Sequence, residues 1–208
     1  MSYEGFRKTF LVETPQHLEG SNDFYAQLDM IKENLKYNSE VTEVVTDVFK
    51  TQHGNQTTYW MGDSEAIEVS AIVDTETNGE FCRVVLTSKN PNIPRGVGPY
   101  VSDLYLIIKN DVKPNHLVFT SDEILSTDGE KLWKGLVNRG HQVSVYDKLS
   151  HKYVLSSIAN SEELESYIGD ADKRRFVFVL SEDLSYQRGV ITKFSIMEIK
   201  RLAGWSLF

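Results

Sequence analysis

Four runs rich in β-branched and aromatic residues follow one another between Val41 and Thr87, and a short turn separates each run from the next. Residues of these types favour strands, whereas Gly, Asn and Asp favour turns. Asn78-Gly79 is the strongest hairpin signal, because both residues tolerate the positive φ of a tight turn. The stretch predicts an antiparallel meander with strands at Val41–Phe49, Thr57–Met61, Ile67–Val73 and Phe81–Leu86.

Outside the meander, the pattern changes to helices that alternate with short strands. Apolar residues spaced four, three and four apart predict a helix from Asp23 to Lys36 with one buried face, formed by Phe24, Leu28, Ile31 and Leu35. A first strand is predicted at Phe6–Val12. The later elements are predicted as helix Tyr100–Asn110, strand His116–Thr120, a helix from Thr127 that ends at Gly140, strands His141–Tyr146 and Lys152–Leu155, helix Ser161–Ile168, strand Phe176–Leu180 and helix Ile196–Leu202. This mixture predicts an α+β fold.

The turn Arg95-Gly96-Val97-Gly98-Pro99-Tyr100 joins the last strand of the meander to the helix that follows. N–H groups in the first turn of a helix have no intrahelical partner and lie at the positive end of its dipole, so such a turn favours a phosphate group. Gly96 and Gly98 permit the close approach of a ligand to the backbone. A plain loop with Pro99 at the first helical position would give the same pattern, so both interpretations stay open.

The order of the elements, together with the glycine turn, resembles that of the GNAT N-acetyltransferases. Members of that family carry a Gln/Arg-x-x-Gly-x-Gly/Ala loop after their fourth strand, and here Arg95 and Gly98 match its first two fixed positions. The resemblance covers roughly residues 6–153. It implies a GNAT-like fold, with a mixed, mainly antiparallel central sheet flanked by helices and a small C-terminal α/β extension. The implied division is a GNAT-like domain at 1–157 and an extension at 158–208 that packs on the same domain.

The resemblance also implies acetyl-coenzyme A, or a related acyl-coenzyme A, as cofactor. Backbone amides of the glycine turn would hold its pyrophosphate, at Arg95, Gly96, Val97, Gly98 and Tyr100. In the family, the strand before this turn splays from the strand that follows the next helix. In this chain the corresponding strand would line the pantetheine arm of the cofactor through Val85, Leu86 and Thr87.

Acyl transfer to an amine needs a base for the acceptor ammonium and a proton donor for the departing thiolate. Glu68 lies near the start of the predicted strand Ile67–Val73, and Asp122 lies just after the predicted strand that ends at Thr120. Both are candidate bases, and Tyr105 is a candidate proton donor. Glu65 is an alternative to Glu68, because residues three apart in a strand face opposite sides. The expected acceptor is an amine-bearing small molecule or protein.

Three residues depart from the family's pattern and favour another class of function. Pro99 has no N–H to offer, and Tyr100 replaces the small last residue of the loop. Trp133 stands where the family often carries a proton-donating tyrosine. The sequence also resembles small proteins of tailed bacteriophages, several of which have GNAT-like folds. The alternative is a non-catalytic GNAT-like phage protein that is a virion component or binds a host protein.

Charge and composition exclude several other classes. The net charge of −8 argues against a broad basic surface for nucleic acid, and so against a phage enzyme that acylates nucleic acid. Cys82 is the single cysteine, which we expect to be a buried small hydrophobe, and the five histidines show no metal-binding spacing. No apolar run approaches the roughly 20 residues of a membrane span. We therefore expect a protein without metal or membrane, located in a cytoplasm, or in the virion if a phage encodes it.

Overall fold

The computed structural model describes residues 20–37, 40–93, 101–169 and 171–180. Within these ranges the helices are α1 (Gly20–Lys36), α2 (Val101–Val112), α3 (Thr127–Asn138) and α4 (Ser161–Glu165). The strands are β1 (Val41–Val45), β2 (Val48–His53), β3 (Gln56–Met61), β4 (Ala71–Asn78), β5 (Phe81–Lys89), β6 (Val118–Thr120), β7 (Val143–Asp147), β8 (Lys152–Leu155) and β9 (Phe176–Leu180).

All of these strands belong to one sheet, in the order β1-β2-β3-β4-β5-β6-β9-β7-β8. The first five pair with their neighbours in sequence and are antiparallel, and β6, β9, β7 and β8 are also antiparallel to one another. β5 and β6 are parallel, because α2 returns the chain to the other end of the sheet between them. The predicted α+β class, with a mixed, mainly antiparallel sheet, is confirmed.

One face of the sheet is covered by α2 and α3, which contribute to the largest apolar cluster. Trp133 of α3 lies among aromatic rings, with its centroid 5.8 Å from both Tyr105 of α2 and Phe178 of β9. Phe119 of β6 adds a further ring, 5.2 Å from Tyr105. Trp133 is 1% exposed. Its indole is therefore a core group that joins both helices to the sheet.

The opposite face is covered by α1 over the meander only. Phe24, Leu28 and Ile31 of α1 pack with Trp60 of β3 and Ile72 of β4, which confirms the helix face predicted from the spacing of apolar residues. Farther along this face is a smaller cluster whose members all come from strands: Phe81, Val118, Tyr146, Val177 and Val179. No described helix contributes to that cluster.

The structure differs from the sequence prediction at the start of the meander. Val41–Phe49 was predicted as one strand, but a turn at Thr46 and Asp47 divides it between β1 and β2. Asp47 has a φ of 64°, in the left-handed region that Asp tolerates better than most residues. Because this turn contains neither glycine nor proline, the sequence pattern did not reveal it.

A second difference precedes β4, which begins at Ala71 and not at Ile67. Residues 62–70 form a loop that the Asp63 carboxylate organises by accepting backbone hydrogen bonds, from Glu65, Ile67 and Glu68. Such local bonds compete with the ladder of a strand. A Cβ on Gly62 would lie 2.2 Å from the carbonyl oxygen of Glu68, so this close turn requires glycine.

Toward the C-terminus, the predicted strand Phe176–Leu180 is confirmed as β9. It lies between β6 and β7 and pairs with both, so this part of the chain supplies a central strand of the sheet. The predicted strand Phe6–Val12 and helix Ile196–Leu202 lie outside the described residues. The division of the chain at 157/158 stays a prediction.

Candidate functional site

β5 and β6 begin side by side and then part. Their parallel pairing joins only Phe81–Arg83 to Val118–Thr120, although β5 continues for six more residues, to Lys89. After β6 the chain turns toward β9, where the Ser121 N–H donates to the Phe178 carbonyl oxygen at 2.8 Å. The opening between residues 84–89 and 121–123 is the candidate site and is called the cleft below.

An extra residue in β5 accounts for this divergence. Consecutive residues of β4 pair with Val84 and Leu86, which leaves Val85 as a bulge. A bulge bends its strand and increases the local twist, so the second half of β5 turns away from β6. It also changes the alternation of side chains, because Val84 before the bulge and Thr87 after it both face α2.

The bulge leaves one backbone edge of β5 facing the cleft. Within the described ranges, no strand pairs with that edge beyond Arg83. The predicted pantetheine-lining residues Val85, Leu86 and Thr87 all lie on this wall of the cleft. The predicted phosphate-binding residues lie outside the described part of the chain: Arg95, Gly96, Val97, Gly98 and Tyr100, with Pro99.

Tyr105 contacts the cleft wall from α2. Its Oη lies 2.8 Å from Thr87 Oγ1, and its side chain is buried. Burial raises the pKa of Tyr105 well above its ordinary value of 10.0, and the hydrogen bond to Thr87 acts in the opposite direction. The phenol therefore stays protonated at neutral pH and can donate a hydrogen bond. Its high pKa makes it a poor acid for complete transfer of the proton.

Asp122 is the predicted base that the structure brings to the cleft. Its Oδ1 lies 3.6 Å from Nη1 of Arg83, and its side chain is 33% exposed. Burial raises the pKa of Asp122 above the ordinary 3.8, and the hydrogen bond from the Glu123 N–H and the charge of Arg83 oppose this rise without cancelling it. A carboxylate with a raised pKa is a stronger proton acceptor, so Asp122 has the chemistry of a general base.

Arg83 was not singled out from the sequence. Its guanidinium reaches three carboxylates, with nitrogen–oxygen distances of 2.8 Å to Glu76, 3.6 Å to Asp122 and 3.7 Å to Glu123. It thereby gathers negative charge where β5 and β6 part. The signal that could have revealed it is a charged residue within the apolar run Phe81–Leu86.

Glu68 lies near the other end of β5, in loop 62–70. Asn90, just after β5, ties that loop to the sheet, because its N–H donates to Ser70 at 2.9 Å and its Nδ2 to Val69 at 2.8 Å. Asp122 lies toward the opposite end of β5, because it contacts Arg83, which is six residues before Lys89. Six residues of extended strand span about 20 Å. The structure thus separates Glu68, and Glu65 on the same loop, from Asp122.

A second arginine, Arg139 at the end of α3, lies against the first turn of α2. Its Nη1 donates to Asp103 Oδ1 at 2.9 Å, and its Nη2 donates to Ser102 Oγ. The guanidinium offsets the repulsion that Asp103 would exert on an anion near the start of α2. Because Arg139 is 36 residues from Asp103, no local pattern in the sequence indicates this pairing.

Cys82 has no part in the cleft, because its side chain faces the core under α2 and α3. It is 1% exposed, and burial raises the pKa of its thiol to about 11. The prediction of a small buried hydrophobe is confirmed.

Among the described residues, no group of three or more His, Cys, Asp or Glu side chains is arranged to hold a metal ion. No helix in the described ranges is both long enough and apolar enough to span a membrane. Comparison of the chain with protein-family models found no match, and comparison with curated protein sequences found none. Evidence for the function therefore comes from the cleft itself.

Proposed function

We propose that this chain is an acyl-CoA-dependent N-acyltransferase of the GNAT type, which transfers an acyl group to an amine. The observation that carries the proposal is the parting of β5 and β6 beyond Arg83. A parallel strand pair that opens toward its carboxyl ends leaves a crevice where open sheets bind ligands. In the GNAT family, to which the glycine turn bears a resemblance, the acyl donor lies along the corresponding strand.

The residues of the cleft fit the extended, amide-bearing arm of coenzyme A. An extended ligand can add to the edge of a sheet through backbone hydrogen bonds, and residues 85–88 of β5 face the cleft with such an edge. Leu86, which is 36% exposed, offers an apolar surface beside it. Arg139 offsets the negative charge of Asp103 at the start of α2, which directly follows the turn that is predicted to hold the pyrophosphate.

Asp122 is the residue to which we assign the base. A bound thioester supplies an acyl carbon that an uncharged amine can attack. Asp122 takes the proton that the amine nitrogen loses, directly or through one water. The new C–N bond forms as the C–S bond breaks, and the departing thiolate takes up a proton from water, so that coenzyme A leaves as a thiol. Arg83 keeps Asp122 at the mouth of the cleft, and Tyr105 keeps Thr87 in its wall.

Trp133 favours a second function, that of a non-catalytic GNAT-like phage protein in the virion or bound to a host protein. It occupies the position of the family's tyrosine, and it is buried against Tyr105 and Phe178. An indole N–H in the core does not protonate a departing thiolate. On this alternative, the same sheet serves as a binding module.

Binding of acetyl-coenzyme A distinguishes the two functions. We expect the ligand to raise the Tm of the chain, since a hundredfold excess over Kd stabilises the folded state by about 2.7 kcal/mol. Gly98→Glu, which puts a carboxylate into the predicted phosphate-binding turn, should abolish the shift. Gly135→Glu on α3 is the matched control, because a Cβ there meets nothing within 4 Å, and it should retain the shift.

The absence of any shift at millimolar acetyl-coenzyme A would contradict acyl transfer and leave the binding role. An equal loss of the shift in both glycine variants would show that added negative charge alone weakens binding. The glycine turn would then not be the phosphate site.

A further inference from the structure

The sheet face that α1 leaves uncovered has a recess of about 260 Å³. Three apolar side chains line it: Phe81 of β5, Tyr146 of β7 and Val177 of β9. The ring centroids of Phe81 and Tyr146 are 5.2 Å apart. An apolar cavity of about 150 Å³ admits benzene, so the recess has room for an aromatic ring with a short chain attached. Two rings and a valine in its wall favour such an apolar group.

The charged side chains that line the recess are mainly basic. Among the described residues they are Arg83, Lys148 and His151, with Glu123 as the one carboxylate. Arg83 and Lys148 carry two positive charges, against the single negative charge of Glu123. The lining thus differs in sign from the chain as a whole, whose net charge is −8. This balance favours an anionic ligand over a cationic one.

Arg83 has a donor available on the side of the recess. Its Nη2 donates to Glu76 at 2.8 Å, and Glu76 is not among the residues that line the recess. Its Nη1 lies 3.6 Å from Asp122 and 3.7 Å from Glu123, and both distances are longer than a hydrogen bond. Because Glu123 lines the recess, Nη1 is the nitrogen nearer to this space. No described carboxylate holds Nη1 within hydrogen-bond distance.

A carboxylate already lies between the two basic side chains. Glu123 Oε1 is 2.5 Å from Lys148 Nζ and 3.7 Å from Arg83 Nη1. The Glu123 side chain is 42% exposed, and an ion pair with this much access to water adds little stability. The ammonium of Lys148 also has three N–H donors, so it can serve a second carboxylate. A ligand carboxylate can therefore share the position of Glu123 or replace it.

We infer that the recess binds an aromatic carboxylate, with the ring of the ligand against Phe81 and Tyr146. The carboxylate of the ligand lies between Arg83 and Lys148. Both cations supply charge-assisted hydrogen bonds, which are stronger than bonds between neutral groups. The inference concerns binding alone and does not depend on acyl transfer.

The test measures binding to the full chain without acyl donor. 3-Phenylpropionate is titrated and followed by NMR chemical shifts, and we expect saturation in the millimolar range, as for a ligand of this size. 3-Phenylpropanamide has nearly the same shape without the charge, butanoate has the charge without the ring, and 2-phenylethylamine has the opposite charge. Each should bind at least about tenfold more weakly than 3-phenylpropionate.

The absence of saturable shifts with 3-phenylpropionate would overturn the inference. Equally tight binding of 3-phenylpropanamide or 2-phenylethylamine would overturn it too, because the basic side chains would then not select the ligand. Equally tight binding of butanoate would show that the rings have no part in recognition. Binding of 3-phenylpropionate by a chain that does not bind acetyl-coenzyme A would support the inference and contradict acyl transfer.

Variants at two lining residues locate the carboxylate of the ligand. Glu123→Gln removes the competing carboxylate and should tighten binding of 3-phenylpropionate several-fold, whereas Lys148→Met should weaken it about tenfold. The Lys148 side chain is 34% exposed, so its replacement should leave the fold intact. Lys131→Met, at a 69%-exposed lysine of α3 outside the recess, is the matched control and should not change the affinity. Unchanged affinity in both Glu123→Gln and Lys148→Met would overturn the assignment.

Discussion

The two halves of the sheet differ in how their strands are joined and covered. From β1 to β5, each strand pairs with the next in sequence, and α1 covers one face. From β6 onward the spatial order is β6-β9-β7-β8, and the corresponding face is not covered by any described helix. The division between the halves is the β5/β6 pair, where the cleft opens. The regular half provides the scaffold, and the candidate chemistry lies at its boundary with the irregular half.

Polar groups under α1 and polar groups at the cleft differ in their partners. Under α1, Gln27 donates to Asp74 Oδ2 at 2.7 Å and accepts from Ser88, while Thr58 donates to Asp74 Oδ1 at 2.6 Å. At the cleft, by contrast, the Asp122 carboxylate accepts from the backbone N–H of the next residue, Glu123, at 2.7 Å and lies 3.6 Å from the Arg83 guanidinium. A network of short bonds between side chains stabilises a single packing, whereas a partly exposed carboxylate with a raised pKa is typical of a reactive site.

The largest expected effect comes from the covered half. Trp60 is fully buried beneath α1, and its Nε1 donates to the Asp63 carbonyl oxygen at 2.8 Å. Trp60→Ala should lower the free energy of unfolding by about 3–5 kcal/mol, because it removes a large core side chain. Val177→Ala, at the uncovered end of the same face, should cost less, about 1.5 kcal/mol. Urea denaturation of both variants checks this order.

If Val177→Ala proved as costly as Trp60→Ala, the uncovered end would be as important to stability as the covered end. The distinction between the two halves would then be wrong. Trp60→Phe sharpens the test, because it keeps an aromatic ring at this position but removes the N–H donor to Asp63.

Local patterns predicted the helix and the tightest hairpin of the regular half, because the contacts of both are local, but they missed the start of β4 at Ala71. The spacing of Phe24, Leu28 and Ile31 revealed the face of α1, and Asn78-Gly79 revealed the β4/β5 hairpin. The turn at Asp47 escaped prediction, since a single turn-favouring residue among β-branched and aromatic neighbours is a weak signal.

In the irregular half, the elements were predicted singly, but their arrangement was not. The position of β9 between β6 and β7 depends on pairings between residues far apart in sequence. The bulge at Val85 leaves no mark in an apolar run, and Arg83 meets Asp122 only through the fold. Asp122 could be proposed because it follows a strand, whereas its electrostatic partner could not.

An intermediate effect is expected at Asp147, which stabilises the irregular half. Its buried carboxylate accepts from Arg175 Nε at 2.9 Å and from Arg175 Nη2, and so joins the end of β7 to the start of β9. The hydrogen bonds from Arg175 lower the pKa of Asp147 below its ordinary 3.8. Ionised Asp147 therefore stabilises the folded state above about pH 3.8, and this stabilisation is lost as the pH falls toward the lower pKa of Asp147 in the folded state.

Asp147→Asn should accordingly lower the Tm by several degrees at pH 7, and the difference from the parent chain should shrink in acid below 3.8. Thermal melts across this pH range provide the measurement. Asp128→Asn, which removes an 88%-exposed carboxylate, should leave the Tm unchanged at every pH. A deficit in Asp147→Asn that stays constant with pH would rule out charge as its cause.

The smallest effect on stability is expected at Asp122, where the sign is opposite. Because burial raises its pKa, ionisation of Asp122 costs stability, and this cost appears as the pH rises above 3.8 through the folded-state value. Asp122→Asn should therefore melt at the same temperature as the parent chain at pH 7, or slightly higher. In the same variant, acyl transfer, measured as release of coenzyme A thiol, should fall by about 10²–10⁴-fold with acetyl-coenzyme A binding retained.

Asp122→Asn and Asp147→Asn together sharpen the comparison, since both replace a carboxylate that is near an arginine. Retained stability with lost transfer assigns Asp122 to chemistry, because a structural ion pair would lose stability as well. A drop in Tm like that of Asp147→Asn would make Asp122 a counter-ion for Arg83, and the base would then have to be sought elsewhere along the cleft. Retained stability with retained transfer would equally exclude Asp122 as the base.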